Sequence, residues 1–108
     1  MPNQSAQLNR VFQGLTDPTR RAVLERLSTG PAAVTELAGP FKMALPSFSQ
    51  HLKVLETCGL VKSRKTGRVR TYRLTSRPLK LAERWLERQR SHWETRLDQL
   101  DQYLKELK

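Results

Sequence analysis

The chain has 108 residues and only one cysteine, Cys58, so it forms no internal disulfide. That usage agrees with a reducing compartment. No apolar run approaches the ~20 residues that cross a bilayer, and no hydrophobic segment near the N-terminus reads as a signal peptide. The expectation is a soluble, cytoplasmic protein without a membrane partner. A phosphate-cradling glycine loop, a Cys/His pair at credible spacing and a carboxylate pair in an obvious pocket are all missing, which argues against an enzyme. The most informative absence is of acidic residues between positions 59 and 77. There Lys62, Arg64, Lys65, Arg68, Arg70, Arg73 and Arg77 contribute +7 of the net +10. A solvated face usually mixes signs; one without carboxylates is aimed at a polyanion. Charge alone leaves DNA, RNA and an anionic membrane open.

What is present predicts one small, mainly α domain over residues 1–108, with residues 1–5 flexible. Leu8, Val11, Phe12 and Leu15 follow the spacing of one helical face, so a first helix ends near Gly14 or Leu15. Thr16 or Asp17 caps a second helix with Pro18 in its first turn, Val23, Leu24 and Leu27 inward, and Gly30-Pro31 as its stop. A short third helix runs from Val34 to about Phe41, with Pro40 distorting its last turn. A fourth starts at Leu45-Pro46, buries Phe48, Leu52 and Leu55, and ends at Gly59 through positive φ. Ala33 and Ala44 stand where capping hydroxyls are expected, at a cost of ~0.5 to 2 kcal/mol each.

Leu60–Lys65 and Arg68–Leu74 read as two strands of a hairpin turning at Thr66-Gly67. That turn pairs Lys65 with Arg68, Ser63 with Arg70 and Val61 with Tyr72, and sets like charges together at the tip. A terminal helix spans 78–107, where Leu79, Ala82, Leu86, Trp93, Leu97, Leu100, Leu104 and Leu107 keep a 3-4 spacing interrupted by Gln89. So long a stripe exceeds what one small domain covers, so Trp93, Leu97, Leu100 and Leu104, with Leu8, Val11 and Phe12 of the first helix, are expected to meet a second copy. Trp85 and Trp93 are read as packing residues of core or interface.

Four helices, two strands and a long dimerisation helix, in that order, make a winged helix-turn-helix: 34–58 is the helix-turn-helix and 60–74 the wing. The second helix of such a unit enters the major groove of duplex DNA. With Phe48, Leu52 and Leu55 inward, Pro46, Ser47, Gln50, Lys53 and Val54 turn outward, with Ser49 and His51 at the margins. Gln50 can bond adenine N6 and N7 together and is the candidate base reader. Ser47 and Ser49 suit base or phosphate, Lys53 suits phosphate, and His51 suits packing or hydrogen bonding more than metal. Thr35 either meets a phosphate or caps its own helix. In the wing, Arg64, Lys65, Arg68 and Arg70 are the candidate phosphate anchors.

These residues resemble the ArsR family of bacterial winged-helix repressors. The likeness is carried by Asp17-Pro18-Thr19-Arg20-Arg21, Val34-Thr35-Glu36-Leu37-Ala38, Leu45-Pro46, Ser49-Gln50-His51-Leu52-Lys53-Val54-Leu55-Glu56, Gly59-Leu60-Val61, Gly67-Arg68 and Tyr72. It implies a homodimer that binds a pseudo-palindromic operator and represses transcription by occluding a promoter. The chain departs from metal-sensing members, whose third helix carries a Cys-x-Cys site, because Ala33 and Thr35 supply no thiolates. His92 with Glu94 and Asp98 lacks the second histidine of a terminal-helix site. No metal and no cofactor is therefore expected, and the resemblance is to members lacking metal ligands, whose inducer is undefined; an unidentified small-molecule inducer stays open as a partner. Cys58 reads as a structural thiol. A ligand- or redox-responsive sensor on the same scaffold, and a winged-helix interaction or RNA-binding module, stay open beside the repressor.

Overall fold

The computed structural model describes residues 4–107. Its elements are α1 (Gln4–Leu15), α2 (Pro18–Leu27), β1 (Ala32–Ala33), α3 (Val34–Ala38), α4 (Leu45–Thr57), β2 (Val61–Thr66), β3 (Val69–Leu74) and α5 (Ser76–Glu106). Of the segment expected to be flexible, residues 1–3 lie outside the described residues, whereas Gln4 and Ser5 already form the first turn of α1.

The joint between α1 and α2 is built by the Asp17–Arg21 motif. The last carbonyls of a helix and the first amides of the next have no partner within their own helix. Asp17 accepts the Arg20 amide at 3.0 Å and so caps α2, while Pro18 occupies the first turn, where an amide hydrogen is not required. The Arg20 guanidinium turns back to donate to the carbonyls of Gly14 (3.1 Å) and Gln13 (3.0 Å), and Arg21 donates to that of Leu15 at 2.6 Å. One short motif therefore closes the end of α1 and opens α2.

The core gathers around α4. Phe48, Leu52 and Leu55 are fully buried, together with Val11, Val23, Leu37, Leu60 and Val61. At ~1.5 to 3 kcal/mol for each fully buried large apolar side chain, this cluster outweighs the missing caps at Ala33 and Ala44, neither of which makes a side-chain cap bond. A Glu36 carboxylate oxygen accepts from the Ala33 amide at 3.4 Å, a weak substitute at the start of α3. That helix stops at Ala38 rather than near Phe41, because Gly39-Pro40 turns the chain out. Phe41 instead packs on Phe48, with ring centroids 5.3 Å apart.

The sheet differs from expectation in two respects. It has three strands, in the order β1-β3-β2, because Ala32 pairs with Tyr72 and Ala33 with Thr71. The hairpin also turns one position later than expected, at Gly67-Arg68. Thr66 faces Val69, Lys65 faces Arg70, Ser63 faces Tyr72 and Val61 faces Leu74. The reason is conformational: Gly67 has φ of +63° and no other residue of the turn has positive φ. A two-residue turn with positive φ only at its first central position takes glycine there, whereas a Thr66-Gly67 turn of the alternative kind needs positive φ at the β-branched threonine. Gly59, at φ +79°, leads from α4 into β2.

The terminal helix begins two residues before Pro78, at Ser76, with Pro78 in its first turn. Its first half packs on α1, where Trp85 meets Phe12 edge-on at 5.8 Å. Beyond Gln89 every described residue of α5 is exposed. The helix projects from the body and stretches the protomer to 70 × 36 × 22 Å.

Candidate nucleic-acid interface

The helix-turn-helix consists of α3, the turn 39–44 and α4. Burial of Phe48, Leu52 and Leu55 fixes the rotation of α4 about its axis, so Ser47, Ser49, Gln50 and Lys53 are exposed on its other side. None of these four makes a side-chain hydrogen bond among the described residues, which leaves their donors and acceptors free for a ligand. Thr35 is exposed at the start of α3. Val54, expected outward, is half-buried against the core.

His51 takes the packing and hydrogen-bonding role expected of it beside the buried face of α4. Its ring is half-buried, with Nδ1 3.5 Å from Asp17 Oδ2 and 3.5 Å from Arg20 Nη1, so it faces the start of α2. His51 thus positions α4 against α2 instead of joining the free polar face. Burial pushes the Asp17 carboxyl up, but the Arg20 amide and the charges of His51 and Arg20 outweigh it and hold the group below the usual aspartate range. The sequence signal for Arg20 is its place three residues after the capping aspartate.

The wing carries Arg64, Lys65 and Arg68, all exposed and without an ion-pair partner among the described residues. Arg70 is different. Its Nη1 donates to Ser63 Oγ at 2.8 Å, and Ser63 Oγ donates to Glu56 Oε2 at 2.9 Å. The chain Arg70-Ser63-Glu56 ties the wing to the last turns of α4, so Arg70 serves first as a strut. Tyr72, next to this chain, is pushed above the usual tyrosine range by burial and then by the Glu56 carboxylate. Because β1 pairs with β3 immediately before α3, the wing is also joined to the front of the helix-turn-helix. Helix α4 and the wing are therefore held at both ends as one unit, an arrangement that sequence spacing did not reveal.

Of the residues expected at an interface between copies, Val11 is corrected: it is wholly enclosed in its own protomer's core, where no partner reaches it. Leu8 and Phe12 are half-buried, and Trp93, Leu97, Leu100 and Leu104 are exposed. Cys58 is buried at the end of α4. Among the described residues, no three His, Cys, Asp or Glu side chains group as a metal site, and no helix is long and apolar enough to cross a membrane.

Known proteins share this arrangement. The model of bacterial regulatory proteins of the arsR family matches residues 17–63. A crystal structure of an ArsR family transcriptional regulator superposes with a TM-score of 0.80 at 53% identity, covering 87% of this chain and 97% of that one. The chain belongs to the ArsR family. Its helix-turn-helix and three-stranded wing are that family's fold, and the relatives found are transcriptional regulators rather than enzymes. The HTH-type transcriptional regulator Rv2034 of Mycobacterium tuberculosis is 52% identical over 66 residues, 61% of this ArsR family chain and 62% of that regulator's length. A solution structure from Mycobacterium bovis, described as a homodimeric winged helix-turn-helix DNA-binding domain, matches with a TM-score of 0.64 at 28% identity, covering 83% of this chain and 84% of that one.

Proposed function

We propose that this ArsR family member is a cytoplasmic homodimeric repressor that binds a pseudo-palindromic DNA operator and occludes a promoter. The observation that carries the reading is the free polar face of α4, Ser47, Ser49, Gln50 and Lys53, held rigidly beside an acid-free wing. Gln50 reads a base edge, with Ser47 and Ser49 on bases or phosphates. Lys53, Arg64, Lys65 and Arg68 neutralise phosphates, Thr35 donates a hydrogen bond to one, and Arg70 adds charge while bracing the wing.

Two-fold pairing follows from α5. Leu86, Trp93, Leu97, Leu100, Leu104 and Leu107 lie along one stripe, and each is more than half exposed. A stripe this long and unpartnered fits the same helix of a second copy, and the homodimeric state of the Mycobacterium bovis domain supports that. Two α4 helices related by a two-fold axis read half-sites about one helical turn apart, hence the pseudo-palindrome. The test is selection from a random duplex pool, followed by titration of the recovered duplex against competitor DNA with increasing salt. A paired half-site motif and a steep salt slope are expected. Equal binding to every duplex would overturn the operator reading in favour of an architectural role.

A further inference from the structure

A cavity of about 780 Å³ opens where α1, the C-terminal end of α4 and the first turns of α5 meet. Its wall contains four cations, Arg10 from α1 and Arg77, Lys80 and Arg84 from α5, and no carboxylate. The 77, 80, 84 spacing sets three of them on one helical face. None of the four forms an ion pair among the described residues, whereas Arg90, further along the same helix, sits 2.7 Å from Glu87 and 4.0 Å from Glu94. Four unpaired like charges around one concavity repel one another, and an anion between them relieves that repulsion. The N-terminal turn of α5 borders the same space through Ser76 and Arg77, and Thr75 gives that turn no side-chain cap, which adds to the positive potential. The volume lies in the range of small-molecule sites, and apolar Pro78 and Leu81 in the wall suit an organic body.

The geometry points to this cavity as an effector site for a small organic anion carrying two or more negative charges. The wall also includes Cys58 and Gly59, where α4 ends, so a bound anion joins the reading helix to the dimerisation helix. By bridging the two helices the anion fixes the setting of α4 relative to α5, and a setting that no longer fits the two half-sites together weakens operator binding. This regulatory half rests on the DNA-reading function proposed above; the binding half does not.

The test uses the full chain in its solution oligomer, with inorganic pyrophosphate and citrate as probes at matched ionic strength, followed by calorimetry. Saturable binding of at least one probe is expected, and preference between them separates a phosphate from a carboxylate source. A K80Q/R84Q variant, its fold checked by circular dichroism, is expected to bind that probe about tenfold more weakly. The probe is then expected to weaken operator binding by the wild type severalfold and by the variant hardly at all, with variant and wild type equal when no probe is present. Absence of heat from both probes, or equal affinity in the variant, overturns the site. Probe binding without an effect on operator affinity overturns its regulatory role. Weaker operator binding by the variant without probe assigns the cations to the DNA surface instead. Loss of operator selectivity without any probe is a separate failure, that of the DNA-reading proposal.

Discussion

Replacing Leu97 and Leu100 together by alanine probes the stripe on α5. Leu97 is 56% exposed and Leu100 is 52% exposed in the single protomer, so about half of each side chain is available for burial by a partner. Full burial of a leucine contributes ~1.5 to 3 kcal/mol, so the available half is worth about 1 kcal/mol. A two-fold interface counts each leucine twice, giving about 4 kcal/mol for the pair, of which alanine keeps a minor part. The expected loss of about 3 kcal/mol corresponds to a dimer weaker by roughly a hundredfold. The protomer itself is expected to be unharmed, because neither side chain contacts its own core and alanine is the best helix former. Sedimentation equilibrium over a range of concentrations measures the constant, and far-ultraviolet circular dichroism confirms the helix. An unchanged dimer constant in the folded variant would refute the assignment of this stripe.

Other outcomes follow from individual contacts. Gly67→Ala forces a side chain into positive φ at the wing turn and is expected to cost about 1 to 2 kcal/mol, read as a lower urea midpoint; an unchanged midpoint would contradict the observed register. Arg68→Gln is expected to weaken binding of all duplexes alike and to reduce the salt slope by about 1, whereas a loss confined to one sequence would make Arg68 a reader. Asp17 titrates below the usual aspartate range, so the folded chain binds its proton less readily than the unfolded chain does. Its contribution to stability is then complete above about pH 4 and is lost as pH falls through the folded value. The stability gap between wild type and Asp17→Asn, measured by urea unfolding, is expected to narrow below pH 4; a gap that widened there would reverse the sign.

Much of this molecule was legible in the chain because its strongest signals are local. Asp17-Pro18 marks a helix start through capping chemistry, and Phe48, Leu52 and Leu55 mark the inward face of α4 through periodicity alone. The same periodicity misled at Val11, since a stripe does not distinguish burial in its own core from burial by a partner. The two-residue strand β1 is too short to alternate, and only its pairing with Tyr72 and Thr71 defines it. The hairpin slipped by one position because Thr66-Gly67 and Gly67-Arg68 are both two-residue turns, and the sign of φ at the flanking residue decides between them. Long-range struts were the least legible. Glu56, Ser63 and Arg70 lie seven residues apart in succession, and nothing in that spacing signals a hydrogen-bonded chain from helix to wing. For His51 a packing or hydrogen-bonding role was legible, but nothing local names its neighbours, Asp17 and Arg20 at the start of α2.

The central claim is that the exposed face of α4 reads sequence while the wing anchors. It is tested most directly by comparing wild type, Gln50→Ala and Lys53→Ala on the selected operator and on each of its single base-pair variants. The account predicts that Gln50→Ala removes about 1 to 3 kcal/mol of discrimination at one base step and keeps the remaining ranking, while Lys53→Ala lowers every affinity by a similar factor. A Gln50→Ala variant that weakened all duplexes equally, with the ranking of base variants intact, would contradict it.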